Sequence, residues 1–405
     1  MSPEEAAFLD RVCAVPEDDA PRLLYADWLD ERNDPRGTFI RIQCALARLP
    51  DDDPARPPLL HWEGALLDRF EVRWSKPFRA FGSGLRFRRG FIEAINVEAR
   101  MFLRRAAELF RLAPIRHVRF LDVGSSLERL MYCPHLARLS AVTIFAQHID
   151  ERLTRSLVDS PHLGSLRELE VGRNRVGDRG AERLAWSPRF RALTSLDLSD
   201  NAIGDTGARA IAQSSNLANL EALELRRNEL SRAGLGFLCG SSVLARLRRI
   251  GLSLNYIGSP QDATPPAAGV ASPQSLDLRE NGLTEEGVRM LTALPGLGRL
   301  SRLDLGQNEI GNGGAAALAA WTGAESLREL LLPNNRIGDD GARSLAQSPY
   351  LSNLSVLKLS DNPVHDPGAF EFLNTPRLAH LRRLELPTLG LTPAVRRALA
   401  RRYSS

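Results

Sequence analysis

Carboxylate side chains recur at one position of a repeating pattern, and their spacing could support ionic binding. Successive members lie 27 residues apart from position 170 to position 224, and again from position 277 to position 304. Because neighbouring strands of a sheet lie about 4.8 Å apart, such a column of like charges repels itself unless cations neutralise it. A basic protein partner would supply those cations. The acidic column consists of Glu170, Asp197, Glu224, Asp277 and Asp304.

Arginines on the same predicted face could neutralise the column from within the chain. Arg249 and Arg302 lie two residues before a column position, and Arg226 and Arg279 lie two residues after one. No aromatic residue stands on this face in the regular repeats, although binding hot spots usually contain one. Two interpretations stay open: a balanced, solvated sheet face, or an acidic stripe that binds a partner. The predicted partner-binding residues are the acidic column together with Arg226 and Arg279.

Catalytic or metal-binding chemistry finds no support in the sequence. The seven histidines are scattered, and no nucleophile stands at a recognisable spacing from a base. The four cysteines lie far apart without a C-x-x-C pair, which predicts reduced thiols and no zinc site. Residues 311–314, Gly-Asn-Gly-Gly, resemble a dinucleotide loop, but other repeats read Gly-Asp-x-Gly at the same place. We therefore expect no catalytic residue, no cofactor and no metal.

A ladder of asparagines marks the elements that would position the acidic column. Each asparagine closes the pattern LxxLxLxxN, and successive members lie 26 or 27 residues apart. The pattern predicts one short parallel strand per repeat, with the central leucines buried and the residues beside them facing solvent. The asparagine amide is predicted to bond backbone groups at the inward turn, which is a structural role. The ladder comprises Asn174, Asn201, Asn228, Asn255, Asn281, Asn308, Asn335 and Asn362.

A helix is predicted after most of these asparagines. The motif x-Ile-Gly-Asp-x-Gly-Ala-x-x-Leu-Ala occurs nearly intact at residues 176–185, 203–212 and 337–346, where aspartate can cap the helix. These motifs resemble the ribonuclease-inhibitor subtype of leucine-rich repeat over residues 166–386. The resemblance implies an α/β fold, a horseshoe-shaped solenoid with parallel strands on the concave side and helices on the convex side. One repeat departs from the pattern, because prolines within residues 256–273 replace the helix with a loop that is either tolerated or a contact site.

The N-terminal residues resemble a second family. The run LLYADWLDER at residues 23–32, followed by DPRG at 34–37 and FIRIQ at 39–43, is similar to the bacterial repeat-companion domain. The resemblance implies a small all-α domain with no established activity. Local helix signals agree, since Ser2 and Pro3 mark a helix start and three helices are expected before residue 50.

Three segments are therefore predicted along the chain. They are a helical companion domain over residues 1–50, a linker and helix over residues 51–89, and a repeat solenoid over residues 90–405 with degenerate entry repeats and a C-terminal cap. Charge is unevenly divided: residues 1–71 hold 16 acids against 8 arginines, and residues 72–120 hold 12 basic residues against 3 acids. Such opposed blocks either pair within the molecule or offer a basic patch to a partner.

The predicted function is a non-catalytic scaffold that binds a protein partner, which could be basic, on the concave face. No apolar run approaches the roughly 20 residues of a membrane span, and the N-terminal residues are acidic where a signal peptide is basic, so we expect a cytoplasmic monomer that does not enter membranes. Two alternatives stay open. The repeat subtype resembles the Ran GTPase-activating proteins, which would imply a GTPase regulator. Nucleic-acid binding through residues 72–120, where Arg86, Arg88 and Arg89 cluster, is disfavoured.

Overall fold

The computed structural model describes residues 2–259, 271–294 and 296–403. Its residues divide into two compact units. Unit one contains residues 1–147 and 159–170, and unit two contains residues 148–158 and 171–405. The segment boundaries at residues 50 and 89 stay predictions.

Unit one begins with helices, as the sequence predicts. The first helix starts where expected, because the Ser2 hydroxyl accepts a hydrogen bond from the Glu5 amide (3.1 Å) and Pro3 takes the first helical position. The helix expected over residues 59–73 is longer than predicted, since it already begins at Arg56. These helices are α1 (Pro3–Ala14), α2 (Ala20–Asp30), α3 (Arg36–Arg48) and α4 (Arg56–Ser75).

A sheet follows the helices of unit one. Its described strands are β1 (Ser83–Arg88), β2 (Phe91–Glu98), β3 (His117–Leu121), β4 (Ala141–Thr143) and β5 (Glu168–Glu170). Two helices lie between strands, α5 (Ala99–Leu112) and α6 (Leu127–Met131). Strands β1 and β2 form an antiparallel hairpin, and the later strands add in parallel and in chain order. Strand β1 was not predicted from the sequence. The hairpin turns through Arg89 and Gly90 at φ values of 49° and 84°, and arginine is not a typical turn residue.

The helices and the hairpin of unit one share a buried core. Phe91 of β2 packs in one apolar cluster with Tyr25 of α2 and Ile40 of α3, all of them fully buried. Beside this cluster, Arg22 Nη2 lies 2.6 Å from Glu93 Oε1, and both side chains are buried. Burial raises the pKa of Glu93 and lowers the pKa of Arg22, while the ion pair opposes both shifts. Because removing one member of a buried pair leaves an uncompensated charge, this contact holds α2 to β2.

Unit two alternates strands and helices. Its strands pair in parallel and in register, so that Leu196, Leu223, Ile250 and Leu276 lie side by side and buried. The strands are β6 (Ser195–Asp197), β7 (Ala222–Glu224), β8 (Arg249–Gly251), β9 (Ser275–Asp277), β10 (Arg302–Asp304), β11 (Glu329–Leu331), β12 (Val356–Lys358) and β13 (Arg383–Glu385).

Most helices of unit two lie between its strands. They are α7 (Glu151–Asp159, most of which lies in this unit), α8 (Gly177–Trp186), α9 (Asp205–Gln213), α10 (Arg232–Cys239), α11 (Glu285–Ala293), α12 (Gly311–Ala319), α13 (Asp339–Ala346), α14 (Asp366–Asn374) and α15 (Pro393–Tyr403). Helices α7 and α8 precede β6, α15 follows β13, and no described helix separates β8 from β9. None of the helices in the described ranges combines the length and the apolar composition needed to cross a membrane.

The asparagine ladder lies inside unit two, and each of its eight members is buried. The Asn228 amide nitrogen donates to the Leu198 and Leu225 carbonyls, both at 3.0 Å, and its oxygen accepts from the Asn201 and Ile203 amides, also at 3.0 Å. The residue before each ladder asparagine has a positive φ of 51–58°, which turns the chain inward at that point. Each amide thus binds backbone groups of its own repeat and of the preceding one.

The helix-motif aspartates cap a different helix from the one expected. Each aspartate was expected to cap the start of its own helix, and this expectation is wrong. The Asp205 carboxylate, at the start of α9, accepts hydrogen bonds from the Ser231 and Gly234 amides at the start of α10, both at 2.9 Å. Asn312 of the Gly-Asn-Gly-Gly run does the same for the Gly338 amide of the next repeat (2.7 Å). The motif therefore joins consecutive repeats, and the repeat pattern accounts for residues 311–314.

Helix α15 covers the last repeat, at the position where a C-terminal cap was predicted. The Tyr403 hydroxyl donates to the Phe372 carbonyl (2.6 Å), and Arg402 donates to the Thr375 carbonyl (3.0 Å). Phe372 lies in the last turn of α14, and Thr375 directly follows that helix. The terminal residues thus satisfy carbonyl groups that another repeat would otherwise cover.

Candidate functional site

The third residues of successive strands in unit two form a surface that we call the strand face. Backbone pairing aligns Asp197 with Glu224, Glu224 with Gly251, Gly251 with Asp277, and Asp277 with Asp304. The structure therefore brings four of the five predicted column residues together across β6, β7, β9 and β10.

Glu224 is the least compensated carboxylate of the strand face. Its side chain is half-buried, and within the described residues it forms no hydrogen bond or ion pair. Burial, together with the neighbouring Asp197 and Asp277, raises the pKa of Glu224 to about 7, although Arg249 and Arg226 oppose the shift. At neutral pH this carboxyl is therefore close to half-ionised, and a nearby cation would favour its charged form.

Gly251 determines where the Glu224 carboxylate lies. A Cβ placed on Gly251 would come within 1.7 Å of Glu224 Oε2, so the absence of a side chain leaves the space that the carboxylate occupies. The sequence analysis did not identify Gly251 as a functional residue. The available signal was a glycine interrupting an otherwise acidic column.

The acids on β9 and β10 are already neutralised by arginines. Arg279 lies 3.1 Å from Asp277 and 3.6 Å from Asp304, and Arg302 lies 3.8 Å from Asp304 and also pairs with Glu329. Asp304 was predicted to face solvent, and this is wrong: the residue is buried, 7% exposed, on a strand next to the buried Leu331. Burial raises the pKa of Asp304, and the Gly306 amide donates to its carboxylate at 3.1 Å. Asp277 and Asp304 therefore agree with the interpretation of the strand face as a surface whose charges are balanced within the chain.

The other predicted site residues have distinct surroundings. Glu170 belongs to unit one, where it accepts a hydrogen bond from the Thr143 hydroxyl (2.9 Å). Asp197 is half-buried and accepts from the Ser199 amide (2.8 Å). Arg226 is exposed beyond the end of β7 and affects Glu224 at longer range. The carboxylates of the strand face that have no ion pair among the described residues are therefore Asp197 and Glu224, and the Glu224 carboxylate lies over Gly251.

This arrangement can hold a cationic side chain. Two carboxylates on adjacent strands, one of them without a hydrogen-bonding partner, offer acceptors to a lysine or arginine. Across the described part of the chain, no group of three histidine, cysteine or acidic side chains has a geometry that could hold a metal ion.

Several arginines of the basic segment over residues 72–120 form ion pairs with acidic residues inside unit one. Arg89 is buried and lies 3.4 Å from Glu17 and 3.5 Å from Asp19, while Arg116 lies 3.3 Å from Glu17 and Arg73 lies 3.6 Å from Asp34. Of the three arginines proposed to form a nucleic-acid patch, Arg89 is therefore inaccessible. These contacts favour pairing of the opposed charge blocks within the molecule.

The irregular repeat over residues 256–273 lies largely outside the described residues, which omit 260–270. At its start, Tyr256 is exposed, and the Gly258 amide donates to the Asn281 carbonyl (2.9 Å). Strands β8 and β9 on either side keep the parallel register of their neighbours.

The comparison with protein families agrees with this geometry. The leucine-rich repeat family model matches residues 162–185, 191–212, 300–319, 324–346 and 350–373. The chain contains leucine-rich repeats. The matched leucine-rich repeats lie on both sides of residues 213–299, where β7, β8 and β9 keep the same register without a family match.

Two solved structures are similar to the chain at low sequence identity. A chain in the crystal structure of the Rad7 and Elc1 complex from yeast is 14% identical, with 92% of each chain covered and a TM-score of 0.47. The internalin inlF from Listeria monocytogenes is 18% identical, with 74% of this chain and 87% of that chain covered and a TM-score of 0.37. No curated protein matches the sequence.

Proposed function

We propose that the chain is a non-catalytic scaffold whose strand face in unit two binds a basic segment of a protein partner. The observation that carries the proposal is the uncompensated charge at Glu224. Arginines of the chain neutralise Asp277 and Asp304, whereas Asp197 and Glu224 have no ion pair among the described residues. A lysine or arginine of a partner would neutralise Asp197 and Glu224 in the same way.

The proton on Glu224 links binding to pH. A bound cation favours the charged carboxylate, so binding releases the proton that a pKa of about 7 retains at and below neutral pH. We expect the affinity for a basic segment to rise between pH 6 and pH 8. A contact that depends only on fully ionised carboxylates would show no such rise.

The test is fluorescence anisotropy of a labelled hexalysine peptide with the full chain, with a hexaserine peptide as the neutral probe. Replacing Asp197→Asn and Glu224→Gln together removes both charges with little change of shape. We expect saturable binding of hexalysine by the wild type and at least a tenfold loss in this double variant. Equal affinities in the two proteins, or no saturable binding by the wild type, contradict the proposal.

A matched control separates the strand face from net charge. Glu182 of α8 and Glu286 of α11 are exposed and form no ion pair within the described residues, so replacing both by glutamine changes the net charge by the same amount. Hexalysine binding should be unchanged in this control. Loss of binding in the control as well would assign the effect to overall charge.

We propose further that the repeats are of the ribonuclease-inhibitor-like subtype. In the regular repeats a three-residue strand is followed by a helix of 8 to 10 residues, as in β6 with α9 and β11 with α13. This regularity supports the subtype, in which each turn pairs one strand with one helix.

We propose that residues 1–50 form a bacterial repeat-companion domain with a bracing role, in which its helices hold β2 of unit one through the Phe91 core and the Arg22–Glu93 ion pair. Arg41 of α3 pairs with Asp27 of α2 and lies 3.1 Å from Asp30. A Cβ on Gly37 would lie 2.7 Å from the Ala26 carbonyl oxygen and closer still to Asp30, so glycine permits the close approach of the two helices. The motif residues therefore hold α2 against α3.

A monomer in the cytoplasm remains our expectation. The GTPase-regulator alternative also stays a prediction, because no contact among the described residues favours it over binding alone. A phosphate-release assay with candidate GTPases distinguishes the two functions, since a scaffold leaves the hydrolysis rate unchanged.

A further inference from the structure

A second polar site lies on the sheet of unit one, and neither Asp197 nor Glu224 contributes to it. Here a cavity of about 70 Å³ opens over β1 to β5. Its polar lining comes from every strand of that sheet: Arg86, Asn96, His117, Arg119, Thr143 and Glu170.

Three of these lining side chains have unused hydrogen-bond donors. Within the described residues, Arg86 and Asn96 form no side-chain hydrogen bond or ion pair, and Arg119 only lies over the Phe145 ring at 5.3 Å. The Asn96 amide is placed by Gly84, where a Cβ would come within 2.2 Å of Asn96 Nδ2. Two guanidinium groups and one amide therefore line the cavity with donors that no protein acceptor uses.

A hydrogen-bonded chain fixes the opposite wall of the cavity. The Thr143 hydroxyl donates to Glu170 Oε2 (2.9 Å), and His117 Nε2 lies 2.9 Å from the same hydroxyl oxygen. A hydroxyl has a single proton, so when Thr143 donates to the carboxylate it must accept from His117 Nε2–H. These hydrogen bonds occupy one carboxylate oxygen of Glu170 and hold the His117 imidazole in the tautomer with a proton on Nε2.

The charge balance of the cavity favours an anion. Among the residues that line the cavity, Arg86 and Arg119 contribute two positive charges and Glu170 one negative charge. Glu168, which is not part of the lining, and Glu170 raise the pKa of His117, but burial is the larger effect and lowers it, which keeps the imidazole neutral at neutral pH. The excess charge of the lining is positive, and it belongs to the groups whose donors are unused. Arginine pairs with carboxylates through two parallel hydrogen bonds, which suits a planar oxyanion.

The cavity has room for a carboxylate group. Its volume is about 70 Å³, and one water molecule needs about 10–15 Å³ of such space. A single carboxylate group fits this space, with the rest of its molecule outside.

We propose that this cavity binds one carboxylate group, held by Arg86 and Arg119 with Asn96 as a third donor. The carboxylate comes either from a small organic acid or from an acidic side chain of a protein, and the chemistry of capture is the same. The site is separate from the proposed binding of basic segments, so either proposal can fail without the other.

The test follows the His117 imidazole resonance of the full chain by NMR while sodium acetate is added at constant ionic strength, with sodium chloride as the balancing salt. We expect a saturable shift with acetate and none with chloride. The variants Arg86→Gln and Arg119→Gln should each weaken saturation at least tenfold. Arg104→Gln is the matched control, because Arg104 is an exposed arginine of α5 outside the cavity and its replacement removes the same charge.

The source of the carboxylate is distinguished with a hexaglutamate peptide. If hexaglutamate saturates the site at a concentration at least tenfold below that of acetate, the site is assigned to an acidic protein segment. If acetate saturates it at the lower concentration, the site is assigned to a small acid. Both results support a carboxylate site. No saturable acetate or hexaglutamate shift, saturation by inorganic phosphate alone, or equal saturation in the Arg86→Gln and Arg119→Gln variants overturns the proposal.

Discussion

At the scale of single residues, the amide of Asn228 bears a larger share of stability than its neighbour Arg227. Replacing Asn228→Ala leaves two buried backbone N–H groups and two buried carbonyls without their side-chain partner, which should cost about 2–4 kcal/mol of unfolding free energy. Replacing the exposed Arg227→Ala should cost under about 0.5 kcal/mol. Urea denaturation of both variants measures the difference, and equally small effects would show that the ladder amide is dispensable.

The raised pKa of Glu224 predicts that the protein becomes less stable as the pH rises. Its folded pKa of about 7 lies above the value of 4.5 expected in the unfolded chain, so the folded state retains a proton that the unfolded state releases. The resulting stabilisation is complete below pH 4.5 and is lost as the pH rises through 7. Relative to Glu224→Gln, the wild type should therefore lose about 1–3 kcal/mol of unfolding free energy between pH 5 and pH 8.

Denaturation at a series of pH values measures this loss, and Glu182→Gln on the exposed face of α8 is the control. A constant difference between wild type and Glu224→Gln across pH 5 to 8 would contradict the raised pKa. The raised pKa would also be contradicted if the difference in unfolding free energy between wild type and Glu182→Gln changed equally over the same pH range.

Sequence reasoning at this scale identified residue types better than their surroundings. The ladder asparagines could be recognised because one amide must satisfy the same backbone groups in every repeat. The burial of Asp304 could not, because it depends on residues of the adjacent repeats, Arg279 after β9 and the buried Leu331 of β11. The role of Gly251 was not predicted either, because it has no functional group. Its contribution is the space that the Glu224 carboxylate occupies.

At the scale of elements, the contact between consecutive helices predicts the effect of changing Asp205. The carboxylate of Asp205 accepts two backbone hydrogen bonds from the start of α10, and Asn312 makes the equivalent contact through its amide oxygen. Asp205→Asn should therefore keep the contact and cost under about 0.5 kcal/mol, whereas Asp205→Ala should cost about 1–2 kcal/mol. Thermal melts of the pair measure this, and equal losses would show that the hydrogen bonds to the next helix are unimportant.

The elements were largely predictable because their signals are local. Alternating leucines predict the strands, and proline, glycine and serine mark where the helices begin and end, so most predicted segments appear within a few residues of their expected bounds. Strand β1 was missed because its turn uses Arg89 in a left-handed conformation. The role of the helix-motif aspartates was misassigned because sequence position identifies a capping residue but not which of two adjacent helices it caps.

At the scale of the whole molecule, we predict that a chain beginning at Gly90 is unstable or insoluble. It lacks α2 and α3, so Phe91 loses its apolar partners and Glu93 loses Arg22 while remaining in a site built for a buried ion pair. Circular dichroism and size-exclusion chromatography of this truncated chain and the full chain provide the measurement. A truncated chain as soluble and as thermally stable as the full one would contradict the bracing role of the N-terminal helices.

A full-length variant separates the ion pair from the loss of the helices. Arg22→Ala retains α2 and the apolar cluster but removes the closest partner of Glu93, and it should lower the unfolding free energy by about 3 kcal/mol. No loss in this variant would assign any instability of the truncated chain to the apolar core alone.

The central claim of the account is that the strand face lacks a cation at Glu224, and the most direct measurement is the pKa of that carboxyl. The side-chain carboxyl resonances of selectively ¹³C-labelled glutamate can be followed from pH 4 to 9, with Glu224→Gln identifying the signal. The account predicts a pKa of about 7 in the free protein, and a decrease of at least one unit when hexalysine is bound. A pKa near 4.5 in the free protein, or a value that the peptide leaves unchanged, would contradict it.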